Sequence, residues 1–296
     1  MESLRKSGLR VFDTAPQDTN YEHTLLTTWK ITFEKLEEDK QSGPAAMLFK
    51  LFAYCEPDDI PLKIFIDGRD EFPPLLADKL KPGDDAGHNE LIDKLRRYSL
   101  VSMRREDGKM LLSVHRLVQA VVNHNSGGNT ECIKCCLNVA YAIFNYGYGT
   151  KDDFDTFSIN LPHMLRIAHH AESLLEGDKE SMEKAARIYS EAGIGLSRKG
   201  DYVSALEWYR KALKIREEVL GTEHPLTATT YNNIAGVYKA QGDYASALEL
   251  YQKAYIIFKK KLGENHPNTK IVFRNAKSAF NAAGYSEGFE SCLFKS

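Results

Sequence analysis

The sequence predicts a mostly α-helical chain, in which an N-terminal domain with one short β-hairpin precedes an α-solenoid. Two observations predict this architecture. The segment GDYVSALEWYRKALKIREEVLGTEHPLT begins at Gly200 and a near copy begins at Gly242, so the C-terminal third repeats with a period of 42 residues. Upstream, two β-prone runs flank Asp107 and Gly108. Such a period indicates stacked helical units, and an Asp-Gly pair between such runs indicates a hairpin.

The charge and cysteine content exclude several classes of protein. The 39 basic and 41 acidic side chains leave a net charge of -2, so no overall field draws the chain to nucleic acid or to an anionic membrane. The N-terminus lacks the apolar region of a signal peptide, and no run approaches the ~18 apolar residues of a membrane span. Five cysteines are an odd, sparse set, typical of reduced thiols. We therefore expect a cytoplasmic protein without a membrane partner.

Residues 22–125 are predicted to form the N-terminal domain, behind a helical remnant of residues 1–21. HTLLTTWKITFEKLEED and SGPAAMLFKLFAYCEPDDIP have helical periodicity, and Pro57 and Pro61 end the second helix. LKIFIDG is a short apolar element, LADKLKPGDDAG a loop and HNELIDKLRRYSL a third helix. The hairpin follows, and LVQAVVNH resumes a helix. This order of elements predicts a winged-helix domain.

Residues 126–178 are predicted to be a helical connector that stacks on the open end of the solenoid. Cys132 and Cys135 have the spacing of half a zinc site, but no second pair exists, and Cys136 continues an apolar helical stripe. His163 and His170 share a helical face that carries no carboxylate at ligand spacing. No catalytic triad or paired-carboxylate motif stands out either. We therefore predict a non-enzymatic chain with no metal and no cofactor.

Residues 179–296 are predicted to form about three helix–turn–helix units, of which the last is degenerate. EKAARIYSEAGIGLSRKGDY supplies the first helix of the unit at Gly200, and TATTYNNIAGVYKAQ that of the next. In the third unit Phe273, Asn275 and Gly284 hold the places of Tyr231, Asn233 and Gly242. Divergence of a terminal unit is expected because it caps the array. His224 and His266 lie in the linkers and are predicted to shape the turns rather than to bind a ligand.

These units resemble tetratricopeptide repeats, and the LGxxHP linker resembles that of the kinesin-light-chain subtype. The resemblance implies a concave face, lined by the first helix of each unit, that binds an extended peptide or a partner helix. It implies seven groove positions: Arg187, Ser190, Asn232, Asn233, Lys239, Arg274 and Asn275. Asparagine pairs with both the donor and the acceptor of a peptide backbone. The alternative is that these are solvated polar side chains. Three cations among them favour a partner with an acidic segment.

The N-terminal domain, with TTWKITFEKL and SVHRLVQ, resembles the winged-helix domain of NB-ARC proteins, signalling NTPases of the STAND class. In that family a Met-His-Asp motif ends the hairpin, and its histidine contacts the β-phosphate of bound ADP. His115 falls on that histidine, while Val114 and Arg116 replace its neighbours. The resemblance implies the C-terminal part of such a protein, without its nucleotide-binding domain. It makes His115 a nucleotide-sensor candidate if another chain supplies that domain.

No phosphate-binding loop accompanies His115. The motif GxxxxGK[ST] is missing, and in the nearest string, GLSRKGD, Asp201 stands where the lysine is required. For this polypeptide we therefore expect His115 to be structural, with a ring nitrogen that accepts a capping bond where the hairpin enters the next helix.

Of three classes of function, the enzyme is rejected because no catalytic motif stands out. The favoured class is an adaptor or sensor module for protein interaction within a STAND-like signalling system. The alternative is a winged-helix regulator that binds nucleic acid and uses its repeats for dimerisation or as an effector region. Between Leu91 and Arg116, seven basic residues face three acidic ones, but charges of both signs mix at the hairpin tip. A wing that follows phosphates would be uniformly basic, so nucleic acid is the less favoured partner.

Overall fold

The structure is a computed structural model that describes residues 31–39, 42–125, 130–143, 151–285 and 288–290. The predicted remnant of residues 1–21, the start of the first predicted helix and the end of the array lie outside this part. In chain order the elements are α1 (residues 31–38), α2 (Gly43–Phe52), β1 (Ile60–Pro61), α3 (Leu62–Asp67), a 3-10 turn (Arg69–Glu71), α4 (Pro74–Ala77), α5 (Asp85–Arg97), β2 (Ser102–Glu106), β3 (Lys109–Ser113), α6 (Arg116–Asn125), α7 (Thr130–Ile143), α8 (Lys151–Leu174), α9 (Lys179–Arg198), α10 (Tyr202–Val219), α11 (Pro225–Ala240), α12 (Tyr244–Leu262) and α13 (Pro267–Ala282).

The predicted hairpin is confirmed, and it belongs to a small antiparallel sheet. Strands β2 and β3 pair in register, with Asp107 and Gly108 at positive φ (48° and 74°) in the turn between them. Both turn residues at positive φ are typical of a type I′ turn, which matches the twist of the two strands. β1 pairs with the other edge of β3, so the strand order is β1-β3-β2. The short β1 lies at the end of the segment predicted to be the second helix, and the predicted apolar element LKIFIDG forms α3.

The predicted start of the third helix is wrong. The helix expected to begin at His88 begins at Asp85, inside the predicted loop, because Asp84 caps it and its Oδ1 accepts the amide of Gly87 at 2.9 Å. The first two residues of this predicted loop, Leu76 and Ala77, belong to a short additional helix, α4. An aspartate is a favoured N-cap because its side chain satisfies an amide that the helix leaves without a partner. The sequence DDAG contains this signal, but two adjacent aspartates obscure which one is the cap.

Helices α9 to α13 form the predicted solenoid, and its repetition extends to the helix ends. Asp178, Asp201 and Asp243 cap α9, α10 and α12, and each accepts the amide of a serine three residues later at 3.3, 3.1 and 3.1 Å respectively. Helices α9 and α10 pack as one pair, α11 and α12 as the next, and α13 packs on α12. The predicted fold class, a mostly helical chain in which a domain with a short hairpin precedes an α-solenoid, is confirmed.

One hydrophobic core joins the N-terminal part to the first repeat. It runs without a break from Phe33 of α1 to Ile215 of α10. Both connector helices contribute to it, since Leu137 of α7 and Met164 of α8 are fully buried. Burial of each large apolar side chain in this core contributes about 1.5–3 kcal/mol to the stability of the fold. The N-terminal part, the connector and the first repeat are therefore held together by packing rather than by a simple tether.

Candidate functional site

The first helices of the last two units are joined by side-chain amides. Nδ2 of Asn275 on α13 donates to Oδ1 of Asn232 on α11 at 3.0 Å, and Nδ2 of Asn232 donates to Oδ1 of Asn233 at 3.3 Å. Lys239 on α11 donates to the hydroxyl of Ser278 on α13 at 2.7 Å. Four of the predicted groove residues therefore lie on adjoining faces of these two helices. All four are half-buried, so each keeps a side open to solvent.

The amide row leaves hydrogen-bonding groups at both ends. Among the described residues, Nδ2 of Asn233 donates no hydrogen bond and Oδ1 of Asn275 accepts none. A donor and an acceptor are thus presented on one surface. This is the pair of groups that an extended peptide backbone requires from a binding face.

Glu191 occupies the same position in the first unit that Asn233 and Asn275 occupy in the next two, since 42 residues separate each from the next. Burial raises the pKa of this carboxyl, while Arg187, Arg198 and Arg216 act in the opposite direction. No ion pair or hydrogen bond of the Glu191 side chain occurs within the described ranges. Sequence reasoning missed this residue, although the repeat offset from Asn233 identifies it directly.

Ser190 is not available as a groove residue, so its prediction needs correction. It is only 5% exposed, and its hydroxyl accepts a hydrogen bond from Nη1 of Arg216 at 3.1 Å. The same nitrogen donates to Thr230 on α11 at 2.8 Å, and Nη2 of Arg216 pairs with Glu183 at 3.0 Å. The guanidinium therefore fills the space between α9, α10 and α11. Ser190 faces this buried network and not the surface.

The remaining two predicted cations differ in their surroundings. The guanidinium of Arg187 lies over the ring of Tyr141, 5.0 Å from its centroid, and its Nη1 is 3.4 Å from the Tyr141 hydroxyl. A planar cation on an aromatic face is held in place by the ring's negative potential. Arg274 is exposed on α13 and forms no ion pair within the described part of the chain.

His115 has the capping bond that the sequence predicts. Its side chain is exposed, and its Nδ1 accepts the amide of Leu117 at 3.3 Å, at the start of α6. His224 and His266 do the same for α11 and α13, where Nδ1 accepts the amides of Leu226 and Asn268, each at 3.2 Å. All three histidines therefore cap the start of the helix that follows them, and the two in the linkers shape the turns, as expected.

Four basic residues of the hairpin and α5 have local hydrogen-bond acceptors. Nε of Arg104 is 2.8 Å from Oδ1 of Asp59, and this pairing lowers the pKa of Asp59. The other partners are Glu106 for Arg104, Asn89 for Arg105, Asp93 for Arg96 and Glu90 for Lys94. These partners make the four side chains less available to a phosphate backbone.

Two cysteines, Cys55 and Cys136, and two histidines of α8, His163 and His170, are buried or largely buried. Burial raises the pKa of Cys55 and of Cys136, and both thiols approach the carbonyl of Leu51, at 3.9 and 3.7 Å. Burial lowers the pKa of His163 and of His170 to about 4, so both rings are neutral at physiological pH. No cluster able to hold a metal ion occurs among the residues that the structure describes. Within the same residues, no helix has the length and apolarity to cross a membrane.

Comparisons with known proteins divide the chain into two matched parts. A tetratricopeptide repeat model matches residues 184–260 and 227–284, which cover α9 to α13. A model described as a domain of unknown function (DUF7779) matches residues 35–127, which include the hairpin. The chain therefore contains tetratricopeptide repeats, the hallmark of a protein-interaction module. Neither match is to an NB-ARC or other STAND family, so that resemblance stays a prediction.

Whole-chain comparisons add little to these two matches. No curated protein matches the sequence. Among solved structures, the crystal structure of BtubC (BKLC) from P. vanneervenii is similar, with a TM-score of 0.37 and 17% sequence identity; the match covers 79% of this chain and 89% of that chain.

Proposed function

We propose that this chain is a non-enzymatic adaptor that binds an extended peptide of a partner protein across the first helices of its repeats. The observation that supports this most directly is the amide row of Asn275, Asn232 and Asn233, with an unused acceptor at one end and an unused donor at the other. A peptide in β-like conformation presents its N–H and C=O groups on alternate sides, so amide side chains hold it without regard to its sequence.

The charges beside the row favour an acidic peptide. Arg274 is exposed at one edge of the row, and Lys239 and Arg187 contribute further positive charge along the same set of helices. The carboxyl of Glu191 is the opposing charge, but burial already disfavours its ionised form and three arginines surround it. A carboxylate on the partner would pair with these cations through charge-assisted hydrogen bonds.

The remainder of the chain is proposed to be regulatory. We propose that residues 22–125 form a winged-helix domain, residues 126–178 a connector and residues 179–296 the repeat array. The strand order β1-β3-β2, with helices between β1 and the hairpin, supports the winged-helix assignment. A role in a STAND-like system rests on the resemblance of this domain to its NB-ARC counterpart. In such a system, a nucleotide-binding domain on another chain would be a second partner and would give His115 a nucleotide to sense.

A peptide titration tests the groove. A fluorescein-labelled six-residue peptide with three aspartates in an alanine background is titrated with the full chain, and binding is followed by fluorescence polarisation. Because one hydrogen bond contributes about 1 kcal/mol, Asn233→Ala and Asn275→Ala should each weaken binding about fivefold. The matched control is Asn265→Ala, an exposed asparagine in the turn before α13. Equal affinity of all three variants and the parent would contradict the groove.

A further inference from the structure

We infer that α7 and α8 form an additional repeat unit, one that precedes the matched repeats and extends the peptide groove onto α7. The inference rests on the proposed groove and adds to it a further binding surface, centred on Asn138 and Tyr141. The tetratricopeptide model begins to match only at residue 184, so this unit lies outside it.

Helix α8 is bonded to α9 by the same type of hydrogen bond that joins α10 to α11. Tyr189 and Tyr231 hold the same position in the first helices of successive units, 42 residues apart. The hydroxyl of Tyr231 donates to Glu217 on α10, the preceding second helix, at 2.5 Å. The hydroxyl of Tyr189 donates to Glu172 on α8 in the same way. In both cases burial and the neighbouring carboxylate raise the pKa of the tyrosine. The helix α8 therefore occupies the place of a second helix.

Helix α7 contacts α9 through polar side chains, as α11 contacts α13. In the array, the first helices adjoin through polar side chains, as in the bond from Asn275 to Asn232. Between α9 and α7, Nζ of Lys184 donates to Oδ1 of Asn138 at 2.8 Å, and Arg187 bonds and stacks on Tyr141. These α7 side chains are half-buried, like Asn232 and Asn233. The helix α7 therefore occupies the place of a first helix.

The contact between α7 and α8 is also of the repeat type. In the matched units the second helix carries fully buried alanines, such as Ala205 and Ala212. The α7–α8 pair also has small buried residues: Ala140 on α7, and Ala168 and Ala171 on α8. Small side chains permit the close approach that helix packing requires at a crossing point.

The extended groove therefore runs over four first helices, from α7 through α9 and α11 to α13. Its α7 end offers the guanidinium of Arg187, 5.0 Å from the centroid of the Tyr141 ring, which suits a carboxylate that binds through two parallel hydrogen bonds. Neighbouring helices pack about 8–10 Å apart, and an extended peptide rises about 3.3 Å per residue. Each spacing between neighbouring first helices thus holds about three residues, so the two spacings among three helices accommodate about six residues and the three spacings among four accommodate about nine. The partner is an extended acidic peptide of about nine residues.

Two peptides of equal charge separate the extension from the groove itself. The six-residue probe is compared with a ten-residue probe that also carries three aspartates in alanine, both titrated with the full chain. The longer probe should bind at least fivefold more tightly. Asn138→Ala and Tyr141→Ala should each weaken the ten-residue probe about fivefold and leave the six-residue probe unchanged. Both substitutions remove uncharged groups, so a change in overall charge attraction cannot produce this result. Ser173→Ala, on the exposed side of α8, is the control, and circular dichroism verifies that each variant is folded.

The outcomes distinguish the two proposals. If both probes bind equally, Asn138→Ala and Tyr141→Ala have no effect and Asn233→Ala weakens both, the extension is wrong and the groove stands. If Asn233→Ala affects neither probe, or neither probe binds, the groove and its extension both fail. A photo-reactive benzophenone placed at one end of the ten-residue probe and then at the other should cross-link to residues 130–143 from one end only. Absence of any such cross-link would overturn the extension.

Discussion

Arg216 on α10 and Glu183 on α9 form an ion pair between the two helices of the first repeat. Nη2 of Arg216 lies 3.0 Å from Oε1 of Glu183, and the arginine side chain is only 5% exposed. The guanidinium also donates to Ser190 and Thr230, so one side chain connects three helices. The next unit has Phe258 in the place of Arg216, 42 residues later. The polar network is therefore specific to the junction between the first and second units.

Arg216→Ala should destabilise the protein by about 3 kcal/mol, because removal of one partner of a buried pair leaves the other charge without compensation. The free energy of unfolding in urea measures the effect. Lys214→Ala, on an exposed position of the same helix, should change it by less than about 0.5 kcal/mol. A loss below about 1 kcal/mol for Arg216→Ala would show that the network is not a major source of stability.

Tyr189→Phe and Tyr231→Phe should destabilise the chain by similar amounts, about 1 kcal/mol each, because each loses one hydrogen bond to a glutamate on the preceding second helix. Chemical unfolding of the two variants gives the comparison. Tyr285→Phe, whose ring is 53% exposed, should be neutral. A large loss for Tyr231→Phe together with none for Tyr189→Phe would contradict the equivalence of α8 and α10.

Acid should destabilise the protein in a window set by the buried histidines. Burial lowers the pKa of His163 and of His170 from 6.5 to about 4. The unfolded chain therefore binds protons at a pH at which the folded chain does not. Stability is fully present above the unfolded pKa and is lost as the pH falls from 6.5 to 4, by up to about 3 kcal/mol for each histidine.

Replacement of one histidine measures its share of this loss. His163→Gln keeps a donor for the carbonyl of Asp59, which lies 3.2 Å from Nε2, but it does not titrate. The difference in unfolding free energy between pH 7.5 and pH 5 should shrink in this variant, by roughly 2 kcal/mol. His169→Gln, at an exposed position, should keep the parent's pH dependence. An unchanged difference in His163→Gln would indicate that this ring is not desolvated in solution.

Two helical glycines should respond in opposite directions to alanine. A Cβ on Gly195 of α9 would clash with ring atoms of Phe157 on α8. Gly195→Ala should therefore lower the stability of the fold by about 1–3 kcal/mol through overpacking. A Cβ on Gly236 of α11 would approach only the hydroxyl of Tyr251, at 3.7 Å. Gly236→Ala should therefore stabilise the helix by up to about 1 kcal/mol, because alanine has the higher helix propensity. Thermal unfolding measures both, and equal effects would contradict the close approach of α8 to α9.

The sequence by itself determined the elements whose causes are local. The repeat offset, the Asp-Gly turn and the proline-bounded helices predicted the solenoid and the hairpin, because caps, turns and apolar periodicity act within a few residues. It also placed Asn232, Asn233 and Asn275 on adjoining faces, because a repeat superposes equivalent residues on equivalent surfaces. The capping role of His115 followed in the same way from its position between a strand and a helix.

Only the tertiary structure decided which side chains meet across helices. It turned Ser190 inward against Arg216, since the two positions are far apart in the chain and no local pattern relates them. It brought Tyr141 to Arg187 and Glu172 to Tyr189, and so revealed the repeat-like packing of α7 and α8, whose sequences lack the glycine and tyrosine signature of the later units. Packing depends on shape and on small side chains at the crossing points, and many sequences satisfy these requirements, so a unit can keep the geometry of its neighbours after its sequence pattern is lost.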